Sequence, residues 1–259
     1  MTPDEISQAF EPWRTKHCRV AWKPLCDPHP SGSSNSWFGG NPASSSSDSW
    51  PCCSDCDKPM QSFLQLDLSE LPTGFSAILN SGVVQLFYCS NDDGGCATWE
   101  PFSGAHDIRL VSDKTYELER PSKVEPLSKT IITDWQEFQD SPHPEEHEEL
   151  GIEYDYDFAN NRVSVKCSDP PIELEDMEID LDVAETISLS QNGDKLGGWP
   201  YWVQSVEYPH CPQCGAQMDL LLQVDSDDNL PYMFGDVGCG HLTQCPNHPH
   251  VFAFGWACG

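Results

Sequence analysis

The sequence contains two segments that match each other, without a gap, at positions 158 residues apart, so that residue 53 aligns with residue 211. The first segment carries the cysteine pair Cys53-x2-Cys56, and the second carries Cys211-x2-Cys214. The same register aligns Met60 with Met218, Gln65 with Gln223, Asp67 with Asp225, and Gly39-Gly40 with Gly197-Gly198. A register kept over so many positions predicts an internal duplication. The chain is therefore expected to fold as two related half-units.

Hydrophobic alternation in both segments predicts β-strands. Leu64, Leu66 and Leu68 alternate with polar residues, and Leu222 and Val224 do so in the second copy. Further strands are predicted over 83–89, 108–111, 240–245 and 251–256. The fold class predicted is β-rich α+β. Each half-unit contributes a small sheet and a zinc knuckle, and the two pack as one pseudo-symmetric body.

Four segments are expected along the chain: an N-terminal helix and loop (1–35), a first repeat unit (36–111), an acidic connecting insert (112–193) and a second repeat unit (194–259). Thr2 and Glu5 form a capping box that begins a helix running to about Trp13. In the insert, short helices are predicted from Trp135 and over 143–150. Part of this acidic stretch is expected to be disordered.

Charge restricts the partners of the chain, which carries 42 acidic and 13 basic side chains and a net charge of −29 at pH 7. Nucleic-acid binding is disfavoured because phosphate contacts need lysine and arginine, and an anionic membrane surface repels acidic side chains. A basic protein is the favoured partner, with faster encounter at low salt. The alternative is a soluble protein whose acidic surface is simply solvated.

Thirteen cysteines occur in a sequence that shows no apolar signal segment and no run of about 18 apolar residues. A cytoplasmic location is therefore expected, where disulfides rarely persist. In that setting, cysteine pairs with two intervening residues indicate zinc ligands.

The first predicted zinc site comprises Cys53, Cys56, Cys89 and Cys96. The short spacing lets one tight turn aim Cys53 and Cys56 at a single ion, and a pair from a neighbouring loop completes the tetrahedron. The six residues between Cys89 and Cys96 exceed the usual spacing. The alternative is therefore a set of reduced thiols in a β-rich core.

The second predicted zinc site comprises Cys211, Cys214, Cys245 and His248. Four nearby residues could each replace one of these ligands: Cys239, His241, His250 and Cys258. Four protein ligands leave no position for a water nucleophile, so both zinc ions are expected to be structural.

Four catalytic or metal-binding alternatives remain open. His147-x-Glu149 with the later cysteine pair approaches a zinc-deaminase pattern, but Pro209 stands one residue too far from the pair. A third metal site could use His17, Cys18, Cys26 and His29. A catalytic cleft could form around Gln65, Asp67, Gln223 and Asp225, although strand hydrogen bonding accounts for them too, and Asp225-Ser226-Asp227-Asp228 could hold a cation.

Four motifs are informative as a set: Gly39-Gly40-x-Pro42, the cysteine pair, Leu86-Phe87-Tyr88-Cys89, and Leu222-Gln223-Val224-Asp225-Ser226-Asp227 with Gly235-Asp236-Val237-Gly238. Together they resemble the YwqG-like bacterial domain of unknown function over roughly residues 36–111 and 194–259. The order of the Gly-Gly-x-Pro motif, the cysteine pair, Met60 and the following strand is also similar to that of the eukaryotic programmed cell death protein 2 family. That second resemblance implies a zinc-bearing chaperone or adaptor that escorts a ribosomal protein of the small subunit, with ties to ribosomal RNA maturation.

The expected function is therefore binding of a basic protein client, without catalysis, as a chaperone or adaptor. The resemblance makes a ribosomal protein the expected client. One alternative is an immunity or inhibitor protein against a toxin, which an acidic surface also suits. The other is an enzyme acting on a small molecule or RNA.

Overall fold

The computed structural model describes residues 1–29, 33–44, 48–75, 79, 81–91, 95–112, 116–178, 183–188 and 190–259. Its helices are short: α1 (Pro3–Ala9), α2 (Glu11–His17) and α3 (Val183–Ile187). The strands are β1 (Arg19–Asp27), β2 (Trp37–Phe38), β3 (Ala43–Ser44), β4 (Gln61–Asp67), β5 (Val83–Tyr88), β6 (His106–Val111), β7 (Tyr116–Glu117), β8 (Thr130–Asp140), β9 (Ile152–Asp157), β10 (Arg162–Ser168), β11 (Pro171–Glu178), β12 (Lys195–Gly197), β13 (Asp219–Asp225), β14 (Cys239–Gln244) and β15 (Phe252–Ala257). Single 3-10 turns lie at Leu68–Glu70 and Pro144–Glu146. Within these described ranges, no helix is long and apolar enough to cross a membrane.

Ten of the described strands form one antiparallel sheet in the order β15-β14-β13-β12-β1-β8-β2-β4-β5-β6. The long strands β1 and β8 pair at its centre, starting with Arg19 opposite Asp140. Four strands lie on each side of this pair. The sheet curls until its edges meet, because the rings of His106 on β6 and Phe254 on β15 lie 5.3 Å apart. The sheet is therefore nearly closed.

The main core fills the inside of the curled sheet with aromatic and aliphatic side chains from both sides. Phe63 stacks on Tyr88 with ring centroids 4.6 Å apart, and Phe234 contacts Tyr88 at 5.8 Å and Phe254 at 5.7 Å. All four side chains are almost fully buried. Burying each of these side chains stabilises the fold by roughly 1.5–3 kcal/mol. Because they come from both sides of the sheet and contact one another, the two sides share one hydrophobic core.

A second core lies between the helices and the smaller sheet β11-β10-β9. Ile6, Phe10 and Trp13 from the N-terminal helices pack with Val163 and Val165 of β10. These two valines alternate with exposed or half-buried residues, as expected of a strand that has one face on a core. Each of these two sheets therefore has its own hydrophobic core, and the short strands β3 and β7 pair separately as a two-stranded sheet.

The N-terminal helix begins as predicted and ends earlier. Thr2 and Glu5 make both hydrogen bonds of the capping box, from the Thr2 backbone to the Glu5 carboxylate (2.8 Å) and from the Glu5 backbone to the Thr2 hydroxyl (3.3 Å). The helix predicted to run to about Trp13 is divided at Phe10 into α1 and α2. Pro12 explains the break, because it has no N–H to donate to the preceding turn and its ring crowds that turn.

The strands predicted in both repeat units are confirmed as β4, β5, β6, β13, β14 and β15. The prediction of a helix starting at Trp135 is wrong, because Trp135 lies in the middle of β8. The region 1–35, predicted as helix and loop, also contains β1. In the stretch 143–150, the structure forms only the 3-10 turn Pro144–Glu146 followed by further turns. In the region 1–35 and around Trp135, the pairing of β1 with β8 overrides the local sequence signals.

Buried glutamines make the same backbone contacts in both halves of the large sheet. The Gln65 side chain accepts a hydrogen bond from the backbone N–H of Ala43 (2.7 Å) and donates one to the carbonyl of Asn35 (2.9 Å). The second set, with every position 158 residues later, is Gln223 to Tyr201 (2.8 Å) and Gly193 (2.8 Å). Each glutamine therefore joins its strand to the loop segments that enter and leave the neighbouring short strand.

Gln65→Leu and Gln223→Leu are each expected to lower the free energy of unfolding by roughly 2–4 kcal/mol. Each variant leaves a part-buried backbone N–H and a part-buried backbone carbonyl without the glutamine that they bond. The two losses should be of similar size but larger at Gln65, because its Oε1 also accepts a hydrogen bond from the buried Gln85 side chain (3.0 Å). Chemical denaturation measures them, with Gln8→Leu on the exposed face of α1 as a control that changes stability by less than about 0.5 kcal/mol. A loss at only one of the two glutamines would contradict the equivalence of these contacts.

Candidate metal centres

The first predicted set of ligands comes together in the structure. A tight turn closed by hydrogen bonds from Cys53 N to Lys58 O and from Asp57 N to Cys53 O, both 2.9 Å, places Cys53 and Cys56 side by side. Cys89 directly follows β5, and Cys96 lies in the next loop. The Sγ atoms are 3.7 Å apart for Cys53 and Cys96, 3.7 Å for Cys56 and Cys89, and 3.8 Å for Cys89 and Cys96. All four donor atoms lie within 4.8 Å of one another, so this group could hold a metal ion.

The second predicted set comes together in the same way, beyond β14. Cys211 Sγ lies 3.6 Å from His248 Nδ1, Cys214 Sγ lies 3.7 Å from Cys245 Sγ, and Cys245 Sγ lies 3.7 Å from His248 Nδ1. These four donor atoms also lie within 4.8 Å of one another. The turn of the cysteine pair repeats the first one, with hydrogen bonds from Cys211 N to Ala216 O and from Gly215 N to Cys211 O.

The four alternative ligands lie outside this group. Cys239 Sγ is 3.8 Å from His241 Nε2, and both side chains are buried within the large sheet. The Nε2 atom of His250 is 3.5 Å from the side-chain nitrogen of Gln213. The structure thus groups the residues that were preferred from sequence spacing, and none of the replacements.

Hydrogen bonds to sulfur support the second group. Backbone N–H groups of Asn247 and His248 donate to Cys245 Sγ at 3.4 and 3.3 Å, and the Asn247 side chain donates to Cys214 Sγ at 3.6 Å. The Ala216 backbone amide and the Asn247 side chain lower the pKa of the exposed Cys214 thiol to about 6. In the first group, the Lys58 backbone amide lowers the pKa of Cys56. In each pair, one cysteine therefore loses its proton more readily than an ordinary thiol, and the thiolate is the form that ligates metal.

Small apolar clusters enclose the metal groups on their inner side. Met60, Phe87 and Leu118 pack around the first group, and Met218 with Val251 around the second. All thirteen cysteines of the chain are free of disulfides. Each group therefore brings a turn and a loop together at the end of the sheet without any covalent cross-link.

The deaminase-like residues are not assembled into a site. His147 is buried in the second core, where Nδ1 lies 2.5 Å from the Tyr154 hydroxyl and Nε2 bonds the Ser188 hydroxyl. His147 belongs to neither metal group. The residues His17, Cys18, Cys26 and His29 also form no third group of donors within the described part of the chain.

The buried His147 is expected to make the protein less stable in acid. Burial, with a smaller contribution from His143, lowers the pKa of His147 to about 3, whereas an unfolded histidine titrates near 6.5. A lowered folded-state pKa means that its contribution is present above about pH 6.5 and is lost as the pH falls toward 3. Between about pH 7 and pH 5, wild type should lose roughly 2 kcal/mol more than His147→Gln. Denaturation at both pH values measures this, and parallel pH slopes would contradict it.

A cavity of about 690 Å³ lies beside the centre of the large sheet. Of its lining, only the run Asp225-Ser226-Asp227-Asp228 was singled out from the sequence. Asp225, Asp227 and Asp228 line it with Asp194 and Lys23. Burial, with repulsion from Asp228, raises the pKa of Asp194 to about 7. The carboxylates of Asp194 and Asp225 accept backbone N–H groups of Asp225 (2.7 Å) and Gly193 (2.7 Å). The acidic run visible in the sequence therefore ties strands and loops together here.

Two of the four polar strand residues, Gln65 and Gln223, are fully buried and hold backbone groups, as described above. Asp67 is also buried, and its Oδ1 accepts hydrogen bonds from the backbone and side chain of Ser69 at 3.0 and 2.7 Å. Only Asp225 borders the cavity. These four side chains do not converge on one cleft.

A comparison with known protein families matches residues 36–243 to a domain of unknown function (DUF1963). A comparison with curated proteins gives no match. The family match spans both cysteine pairs and ends between β13 and the last two metal donors, inside β14.

Proposed function

The chain belongs to the family of the domain of unknown function DUF1963, and we propose that it is a zinc-stabilised protein that binds a basic protein client. The proposal has two parts, which rest on different observations. The geometry of the donor groups supports zinc binding, and the excess of acidic side chains supports binding of a basic protein.

Donor type and spacing favour zinc in both groups. Zinc–sulfur bonds of about 2.3 Å in a regular tetrahedron place sulfur atoms about 3.8 Å apart. The distances of 3.7–3.8 Å in the first group match that edge. A zinc–nitrogen bond of about 2.0–2.1 Å brings sulfur and nitrogen to about 3.6 Å, close to the 3.6 and 3.7 Å seen at His248. Sets of four thiolates, or three thiolates and an imidazole, are common structural zinc spheres.

A structural role follows from the number of donors. Each group supplies four protein ligands, which complete a tetrahedron and leave no coordination position for water or substrate. We therefore propose that both zinc ions stabilise the fold and take no part in catalysis. The proposed function is binding, and the metals hold the loops at the ends of the strands.

The net charge of the chain is the observation that supports binding of a basic client. The net charge of −29 comes from 42 acidic side chains against 13 basic ones. Several basic side chains are already engaged, such as Lys195 with Asp140 inside the fold. The acidic excess is therefore presented mainly to solvent, where it attracts a basic protein and shields it from nucleic acid. A ribosomal protein in the cytoplasm is the client that the resemblance to the programmed cell death protein 2 family suggests.

We also infer that the two halves of the large sheet arose by duplication. The sheet has β12–β15 on one side of the β1–β8 pair and β2, β4, β5 and β6 on the other. β4 and β13 have bounds separated by the same 158 residues as the cysteine pairs. The isolated bridges Cys52 to Pro59 and His210 to Gln217 keep that separation too. A duplicated binding scaffold explains why each half carries its own metal group.

A tagged protein used as bait in lysate of its native host tests the client proposal. At low salt we expect one basic protein at near-equal stoichiometry, and its loss at high salt. An unrelated acidic protein of similar net charge serves as the control bait and should not retain it. Captured partners that are acidic, or whose binding is indifferent to salt, would overturn the proposal, as would an empty bait at both salt concentrations.

A further inference from the structure

The smaller sheet, β11-β10-β9, has one covered face and one open face. Val163, Val165 and Leu174 point into the second core, where the N-terminal helices pack. The alternate residues of these strands form the opposite face, and they are exposed or half-buried. Strand β9 is also an outer strand of this sheet. This sheet therefore offers an uncovered face and an adjoining edge.

The open face is strongly acidic. Its exposed carboxylates are Glu153, Asp155, Asp157, Glu173, Glu175 and Glu178. The basic residues among them are Arg162 and Lys166, and both are already engaged. Lys166 Nζ lies 2.5 Å from a Glu173 oxygen, and Arg162 lies 3.9 Å from Glu178. Six carboxylates against two cations leave an unbalanced negative charge on one side of a sheet.

The shape of this face suits long basic side chains. A hollow of about 490 Å³ is lined by Glu153, Lys166 and Glu173 together with Pro171 and Ile172. Lysine and arginine carry an apolar stem and a charged head, so a wall of carboxylates beside aliphatic carbons complements both parts.

Aromatic rings follow the same outer strand on its other face, because Tyr154 and Tyr156 pair with Val165 and Val163, which point into the second core. The rings of Tyr154, Tyr156 and Phe158 stack in a column with centroids 6.0 and 5.5 Å apart. Tyr156 is 47% exposed and Phe158 is 78% exposed, although apolar rings are normally buried. Exposed ring faces attract guanidinium and ammonium groups, and an outer strand can accept a further strand from a partner.

We propose that this sheet is the docking surface for an extended, arginine- and lysine-rich segment of the client, added along β9. Side chains of an added strand alternate between its two faces, so cations on one face lie against the carboxylates of the open face while the side chains of the other face lie against the aromatic column. This inference rests on the proposed function and assigns it a place on the molecule. Charge complementarity selects a basic protein segment over an acidic or an apolar one.

The test compares variants with the same net charge. The face variant combines Glu153→Gln, Asp155→Asn and Asp157→Asn. Each change keeps a side-chain oxygen, so that Asn at position 157 can still accept the turn hydrogen bonds from Ala159 and Asn160. The control variant combines Glu119→Gln, Glu125→Gln and Asp236→Asn, which are exposed and lie outside this sheet. Thermal melting checks that both variants remain folded.

The probe is a fluorescein-labelled peptide in which arginine alternates with threonine, and a glutamate–threonine peptide is its negative counterpart. In fluorescence anisotropy, the face variant should bind the arginine peptide at least about tenfold more weakly than wild type, and the control variant within about twofold. Tyr156→Ser with Phe158→Ser should also weaken binding. Equal weakening by the face and control variants would overturn the inference, because binding would then depend on total charge alone. Wild-type affinity in the face variant would overturn it as well.

Failure of this surface can be told apart from failure of the function. If a basic client captured from lysate binds wild type and the face variant equally, the docking surface is wrong while client binding stands. If no basic client is captured by wild type, the proposed function itself fails.

Discussion

Cys56→Ser is expected to bind one metal ion per chain where wild type binds two, and to lose most of the stability of the first metal group. A serine hydroxyl is a poor replacement for a thiolate, and the three remaining sulfur atoms cannot complete the tetrahedron. Metal binding to such sites is worth on the order of 10 kcal/mol, comparable to the total stability of a typical domain. The turn at Cys53 and the loop at Cys96 should therefore detach from the sheet.

Native mass spectrometry counts and weighs the ions, and thermal melting reports the lost stability. Cys52→Ser is the matched control, because Cys52 is an exposed neighbour outside the metal group. It should keep both ions and the wild-type melting temperature. Cys214→Ser should remove the ion of the second group and leave the first. Wild-type protein purified without metal, or Cys56→Ser protein with both ions, would contradict the assignment.

Lys195→Met is expected to lower the free energy of unfolding by roughly 3–5 kcal/mol, because it leaves the buried Asp140 carboxylate without its cation. Lys195 Nζ lies 2.8 Å from Asp140 Oδ2, and both side chains are essentially inaccessible. Asp140 also accepts hydrogen bonds from the backbone of Trp199 (2.9 Å) and Gln191 (3.2 Å). One carboxylate therefore ties β8 to β12 and to the segments on either side of β12.

Chemical denaturation with metal present measures this effect. Lys16→Met is the matched control, since Lys16 pairs with Asp169 at a similar 2.7 Å on the exposed surface. Surface pairs contribute about 0–1 kcal/mol, so the control should change stability little. The double variant Lys195→Met with Asp140→Asn should be less destabilised than the sum of its single variants, because it removes the unpaired charge. Equal losses for Lys195→Met and Lys16→Met would show that burial of the pair has no effect.

Local signals in the sequence predicted the strands that carry the metal groups. The spacing of Cys53 and Cys56, and of Cys211 and Cys214, survives in the structure as two tight turns. Cys96 was harder to place, because six residues separate it from Cys89. His248 was assigned as the counterpart of Cys96, and the structure brings each of them into its group.

The centre of the sheet was not visible in the sequence. Lys23 and Pro24 interrupt the hydrophobic pattern of β1, and β8 reads as an acidic, helix-like stretch around Trp135. Each strand exists because the other pairs with it across more than a hundred residues of chain. The Asp140–Lys195 pair depends on the same assembly, so neither its burial nor its partner follows from local composition.

The placement of β1 and β8 determines how this protein can be made and divided. Ala21 pairs with Gly197, which lies more than 170 residues later in the sequence. The sheet therefore cannot be completed during synthesis until β12 to β15 have left the ribosome. Contacts so distant in sequence favour slow folding, during which unpaired strand edges are exposed to aggregation. A fragment cut between the two repeats would separate a half-sheet from its central strand, so expression of either half alone should yield insoluble protein.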